Sequence, residues 1–362
     1  MMSLTYWLML LKIPGVGLKT FYQALRVFES PDAVFASSRQ TLLAAKVFRA
    51  NTIEHILRAD TALVEPDLHW ASQPDHHLIS LIDDQYPESL KQLSDPPPLL
   101  YIQGDPGLLA HQQLAIVGSR NPSAGAKQDA YRFAKGLSQQ GLIITSGMAM
   151  GIDAQAHLGA LEAGAPTIAV CGTGLDLVYP PTHRVLAQQI VAQGALVSEL
   201  PIGSAPLPGN FPKRNRLISA LSLGVLVVEA SIKSGTLITA RLAAEQGREV
   251  FALPSSIHNP LARGPHSLIK QGAALVENIE DILNILPSVN RLAQVALDGD
   301  NDTKKRRTNA SELLKYLSYN AVNIDELVEK SGLSPQVVTQ ELLSLELDNQ
   351  IEKTACGYIL TR

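Results

Sequence analysis

The chain has 362 residues, 46% hydrophobic and 18% charged, with a formal net charge of −4. This composition excludes a disordered or fibrous protein, and the length suits two or three domains rather than one core. The two cysteines, Cys171 and Cys356, exclude a disulfide framework and a Cys-rich zinc site, and they suit a reducing cytoplasm.

The opening run MMSLTYWLMLLKIPGVG lacks a basic n-region and a small-residue cleavage site, and Lys12 interrupts it, so it does not read as a signal peptide. No apolar run approaches the length of a membrane span, and no membrane partner is expected. Residues 1–65 read as a helical domain. Leu8, Leu10, Leu11 and Ile13 lead into Pro14-Gly15-Val16-Gly17, and a second helical stretch, Thr20 to Phe28, follows. This pattern fits a helix-hairpin-helix whose glycines present backbone N–H groups to a phosphate. It fits an ordinary αα-hairpin equally well. From His77 to Gly104 the chain reads as irregular, with the run Asp95-Pro96-Pro97-Pro98 as a semi-rigid spacer before a strand at Leu99–Gln103.

The middle of the chain alternates apolar runs at 114–119, 142–147, 167–172, 195–200, 225–230, 249–254 and 273–278 with amphipathic helical stretches. Continuous apolar strands alternating with helices predict an α/β fold with a Rossmann-like, doubly wound parallel sheet. Ligands of such sheets bind beyond the carboxyl ends of the strands. Those ends carry Gly118-Ser119-Arg120, Ser146-Gly147, Cys171-Gly172-Thr173-Gly174, Glu199 and Glu229.

Four motifs in this region bear on chemistry. Gly118 permits a tight turn, Ser119 offers a hydroxyl and Arg120 a planar fork for phosphate. The segment is not GxGxxG, so a dinucleotide site is not indicated. Asp153 and His157 stand i, i+4 in SGMAMGIDAQAH, a spacing open to acid–base chemistry or to helix capping and a polar core contact. In FPKRNRLISALS, Lys213, Arg214 and Arg216 with Asn215 crowd cations just before an apolar helical run in an acidic protein. The macrodipole disfavours cations at a helix start, so the patch predicts an external anion; the alternative is a solvated basic helix start. Phe211 is the one aromatic beside it, and backbone electrostatics is expected to outweigh stacking. Ser234-Gly235-Thr236 opens a helix from Leu237 to Gln246, whose free N–H groups suit an anion, with simple capping by Ser234 or Thr236 a compatible reading.

Residues 287–308 are polar and unperiodic and read as a linker. Its Lys304-Lys305-Arg306-Arg307 run is either solvated or a weak nucleic-acid contact. Residues 309–362 read as a winged helix: Ser311–Leu317, a helix opening at Asn323, a third helix Gln336–Leu347, and a hairpin through Ile351 and Tyr358. The third helix carries Glu341, Glu346 and Asp348 and no Lys or Arg, which favours a protein contact over DNA reading.

IVGSR, SGMAMGIDAQAH, FPKRNRLISALS, EASIKSGTLITARLAAEQGREVFALP and GPHSLIKQGA, in this order, resemble the DNA-processing protein A (DprA/Smf) family across residues 78–285. Ser255 and His266-Ser267 depart from its common pattern. The resemblance implies a Rossmann-like domain over 66–286 that binds single-stranded DNA, protects incoming strands in natural transformation, helps load the RecA recombinase and works as a homodimer. It implies no catalytic residue and no cofactor. By motif, Gly118, Ser119, Arg120, Lys213, Arg214, Asn215 and Arg216 would form the nucleic-acid site, with Lys233, Ser234 and Gly235 beside them, and Leu268–Ala273 would lie near the dimer and recombinase surface. The alternative is a nucleotide-binding or nucleoside-monophosphate-hydrolysing enzyme of the same Rossmann-like group, with Glu229 as its acid.

Overall fold

The structure, a computed structural model, describes residues 2–286, 316–317, 322–347, 351–354 and 357–360. The chain divides into two compact units, residues 1–289 and 290–362.

The first unit opens with helices α1 (Met2–Lys12), α2 (Leu18–Phe28), α3 (Pro31–Ala36), α4 (Arg39–Ala45), α5 (Ala50–Arg58) and α6 (Glu65–Ala71). Serines start two of them: Ser30 Oγ accepts the Ala33 amide and Ser38 Oγ the Thr41 amide. Their apolar faces, including Trp7, Leu10, Phe21, Leu42 and Ile53, share one core with Leu99, Tyr101 and Leu196 of the sheet. In the glycine turn between α1 and α2, Pro14, Gly15 and Gly17 are exposed and Val16 is half-buried, and Val16 and Gly17 border a small cavity of about 200 Å³ with Pro98, Tyr101 and Pro201. Buried Asp67 ties the helices to the sheet, accepting from Tyr101 Oη (2.7 Å) and the Ile202 amide (3.2 Å) and pairing with Lys12.

Among the described residues, nine strands form one sheet, in order β1-β2-β6-β5-β4-β3-β7-β8-β9. They are β1 (His76–Ser80), β2 (Leu99–Gly104), β3 (Gln113–Val117), β4 (Ile143–Ser146), β5 (Thr167–Val170), β6 (Ala195–Ser198), β7 (Gly224–Val227), β8 (Glu249–Ala252) and β9 (Ala274–Leu275). From β6 through β9 all pairings are parallel, while β2 runs antiparallel to β6 and β1 to β2. Successive residues of a strand face opposite layers. Leu114 and Ile116 therefore pack with α8 (Ala124–Gln139) and α9 (Ile152–Glu162), whereas Ala115 and Val117 pack with α11 (Asn210–Leu221) and α12 (Thr236–Glu245). α10 (Arg184–Gln193) packs into the core shared with the N-terminal helices; the short α7 (Glu88–Lys91) precedes β2, and α13 (Arg263–Lys270) and α14 (Ile279–Ile285) flank β9 in sequence. This is the doubly wound sheet the apolar runs predict.

Two features differ from the sequence reading. His76–Ser80 is a strand, not irregular chain; as an edge strand only partly buried, it shows no continuous apolar run. The proline run is pinned, Pro96 and Pro97 carbonyls accepting from Tyr22 Oη (2.6 Å) and Tyr86 Oη (2.7 Å).

In the second unit, α15 (Ile324–Ser331) is capped by Asn323, whose side chain accepts the Glu326 amide at 2.8 Å. α16 (Pro335–Leu347) and the antiparallel pair β10 (Ile351–Thr354) and β11 (Gly357–Leu360) complete what is described. Leu327, Val338, Leu342, Ile351 and Tyr358 form its core. The expected linker, the basic run 304–307, most of the helix 311–317, Cys356 and the side chains of Glu341, Glu346 and Asp348 lie outside the described residues.

Candidate nucleic-acid interface

Chain order along the sheet reverses between β3 and β7: β3 leads through α8 to β4 on one side, and β7 leads through α12 to β8 on the other. Loops leaving these neighbours diverge, and the crevice between them is where open α/β sheets bind ligands. Here it is a cavity of about 680 Å³ lined by Gly118, Ser119, Arg120, Asn215, Ser234 and Gly235, with Arg214 and Asp153 at its base and Tyr179 and Phe211 along another wall.

The GSR turn is held from both sides. A Cβ on Gly118 would lie 2.5 Å from Ile152 Cγ1, so the turn needs glycine there. The Gly118 carbonyl accepts from Thr236 Oγ1 (3.0 Å), and the Ser119 carbonyl accepts the Ile152 amide (3.1 Å). The turn is thereby tied to the starts of α12 and α9. Ser119 Oγ accepts the Asn121 amide at 3.1 Å, and Ser234 Oγ accepts the Thr236 amide at 3.2 Å, so part of the capping is internal. Arg120 is exposed, with its guanidinium carbon 5.7 Å from the centroid of the Phe211 ring.

The basic patch does not act as one. The sequence reading sets it before a helix, but α11 begins at Asn210, so the patch lies inside the helix. Residues there step by about 100°, and 213, 214 and 216 fan out. Arg214, 5% exposed, donates through Nη1 to the Gly147 carbonyl (2.6 Å) and to that of Val170. Arg216, 8% exposed, turns the other way and pairs with Glu199 and with Asp95 (3.4 Å). This corrects the expectation that all three cations meet an external anion: Arg216 is outside the crevice and has internal counter-charges. Glu199 is likewise an ion-pair partner; burial raises its pKa and Arg216 opposes that rise. Lys213 and Lys233 are exposed and lie outside the crevice lining.

Asp153 is the buried opposite charge near Arg214 that sequence reading missed, both side chains holding the Gly147 backbone. Its Oδ2 accepts the amides of Gly147 (3.1 Å) and Ala149 (3.2 Å). Burial raises its pKa, and the Arg214 charge and those amides counter the rise. His157 serves a different neighbour. Thr167 Oγ1 gives its proton to the Ile144 carbonyl (2.6 Å), so His157 Nδ1 donates to Thr167 (2.8 Å). Burial, then His183 and Arg214, lowers its pKa to about 3, and it is neutral. The two residues thus follow the capping and core reading rather than acid–base chemistry. Glu229 is also committed: it accepts the Ser123 amide (2.9 Å), Ser123 Oγ (2.8 Å) and Asn259 Nδ2 (2.7 Å).

Tyr179 is the other residue missed. It comes from the loop between β5 and α10, is 44% exposed, and its ring centroid lies 5.6 Å from that of Phe211. Phe211 is therefore not the lone aromatic of the site. Only the Tyr179-Pro180-Pro181 turn signal marked the position, and nothing local pairs it with a residue 32 positions on.

The model of the family described as DNA recombination-mediator protein A matches residues 77–287, and that described as DprA winged helix domain matches residues 303–355. The chain is 44% identical over 304 residues to Protein Smf of Escherichia coli (strain K12), covering 83% of this chain and 81% of that one. It is 44% identical over 213 residues to DNA processing protein DprA of Bacillus subtilis (strain 168), covering 59% of this chain and 72% of that one. Its fold is similar to the crystal structure of DNA processing protein A from Streptococcus pneumoniae, with TM-score 0.69 and 35% identity over 77% of this chain and 97% of that one. It is similar also to DNA processing protein A from Helicobacter pylori, a structure described for its unique single-stranded DNA binding mode, with TM-score 0.52 and 35% identity over 59% of this chain and 96% of that one. Among the described residues, no helix is long and apolar enough to cross a membrane.

Proposed function

We propose, because this chain belongs to the DNA recombination-mediator protein A family, that it binds single-stranded DNA in the crevice between β3 and β7 and acts as a recombination mediator in transformation. The observation that carries this reading is the pairing of an exposed Arg120 with the Tyr179–Phe211 rings in one crevice. A cation for the backbone beside aromatic faces for unstacked bases suits a single strand, whose bases are free to stack. Arg120, Ser119, Asn215, Ser234 and Gly235 form the contact surface, with Lys213 and Lys233 as outlying phosphate contacts. Arg214 and Asp153 shape the floor, and Arg216 supports α11.

The protein works without catalysis or cofactor. The Glu229 carboxylate, the acid a hydrolase would use, is engaged by three donors. Loading of the RecA recombinase, a homodimer through the Rossmann-like domain with Leu268–Ala273 near the dimer and recombinase surface, a cytoplasmic location and a protein-contact or structural role for the winged helix complete the reading. It keeps the domain map of 1–65, 66–286, a 287–308 linker and 309–362, with 1–65 and 66–286 sharing one core.

Mobility shifts with labelled oligonucleotides test it. Single strands bind well above duplex, and Arg120→Ala weakens that binding. Equal affinity for duplex, or an Arg120→Ala variant that binds like the parent, rejects the crevice as the site.

A further inference from the structure

A second concavity, of about 1050 Å³, lies away from the GSR turn, between α10 and the β1–β2 end of the sheet. Exposed Leu177 and Pro181 with half-buried Val178 and Val191 give it an aliphatic strip among polar side chains, over the buried Leu175, Ala187 and Leu196. Helix α10 contributes positions 184, 187, 188 and 191, the i, i+3, i+4, i+7 spacing of a single helix face. Its rim is acidic: Asp75, Asp105 and Asp176 are all exposed, against Arg184 and a half-buried His77. Two of these carboxylates are held by backbone amides, Asp105 Oδ1 accepting that of Gly107 in its own turn (2.8 Å) and Asp176 Oδ1 that of Gly203 from the loop after β6 (2.9 Å).

Small-molecule pockets run to roughly 1,000 Å³ and enclose their ligand. This groove is at that limit and open, which fits a peptide segment. An aliphatic strip bordered by three carboxylates and one guanidinium is complementary to an amphipathic helix with an aliphatic face and flanking Lys or Arg. We propose that the groove docks such a cationic amphipathic helix of a partner protein. The β5–α10 loop supplies Leu175, Leu177, Val178 and Pro181 to the groove and Tyr179 to the crevice. A partner seated here therefore lies beside whatever the crevice holds. The proposal does not depend on the DNA reading, because neither Arg120 nor the α12 start lines the groove.

The test is fluorescence anisotropy with the full chain, no DNA present, and a labelled helical peptide of about 14 residues with leucines at i, i+3, i+4 spacing and lysines on the flanks. A scrambled peptide of the same composition is the control. The amphipathic peptide is expected to bind roughly tenfold tighter than the scrambled one. The Asp75→Asn/Asp105→Asn/Asp176→Asn variant, which keeps an acceptor oxygen at each turn, is expected to weaken binding by about tenfold. Gln188→Lys, on an exposed position of α10 that caps nothing, is expected to weaken it too, so a folding defect in the first variant does not decide the result. Equal binding of the scrambled peptide, or unchanged affinity in both variants, overturns the proposal. A change in sedimentation of the variants with peptide affinity intact assigns the groove to a second copy of this chain and also overturns it.

Discussion

Arg214 lies so close over Gly147 that a Cβ added at 147 would stand 2.7 Å from Arg214 Nη2, while Nη1 donates to the Gly147 carbonyl at 2.6 Å. With Asp153 accepting the Gly147 amide, both backbone polar groups of this one residue are taken by a buried cation and a buried anion. The floor of the crevice is therefore held by charge-assisted hydrogen bonds to its own backbone.

Arg214→Ala is expected to act on folding. Removing it leaves Asp153 buried without its counter-charge, at a cost of about 3–5 kcal/mol. Urea melts check this. An Arg214→Ala variant that melts like the parent while losing DNA would mean that Arg214 contacts phosphate directly.

Arg120→Ala is expected to do the opposite, leaving the melt unchanged and weakening single-strand binding. Removing one cation from a phosphate flattens the slope of log affinity against log salt by about 0.7. Titrations at several salt concentrations measure it. Lys213→Ala and Lys233→Ala should each weaken binding less, since both side chains lie outside the crevice lining.

Tyr179→Ala is expected to reduce affinity by about 1–3 kcal/mol per stacked base. The effect should vanish on an abasic oligomer of equal length, where only phosphates are read. If the parent and Tyr179→Ala differ equally on both ligands, the ring supports the loop instead of the bases.

His157 sets a pH dependence of stability. Its pKa is lowered to about 3 in the folded chain, against an ordinary value of 6.5. Between these values the unfolded chain binds a proton that the folded chain does not, so stability falls as pH drops from 6.5 toward 3, by up to about 1.4 kcal/mol per pH unit. His157→Asn, which keeps a donor toward Thr167, should remove that component. Unfolding free energies from pH 4 to 7 test it, and parallel slopes for parent and variant refute it.

The sheet was legible because β3 to β7 are buried on both faces and read as unbroken apolar runs, and the GSR turn was legible because it ends the first of them. β1 was not, since its half-buried His76 and His77 hide the strand. The strands also stop short of the runs that marked them: the run at 114–119 ends as strand at Val117 and that at 225–230 at Val227. Gly118 and Ser119, left over from the first run, line the crevice. Cation density at 213–216 pointed to the right helix but not to its faces. Charge along a chain carries no azimuth, and the groups that claim two of the three cations, the Gly147 and Val170 carbonyls for Arg214 and Glu199 and Asp95 for Arg216, are distant in sequence.

Asp67 receives Lys12, Tyr101 and the Ile202 amide at one buried carboxylate, closing loops of 55, 34 and 135 residues. A chain shortened to begin after residue 65 would keep that carboxylate, lose the Lys12 ammonium that neutralises it, and bare Leu99, Tyr101 and Leu196 to water. The first helices are then part of the folding unit of the nine-stranded sheet, and an isolated 66–286 fragment should aggregate unless Asp67 is neutralised and that apolar face is resurfaced.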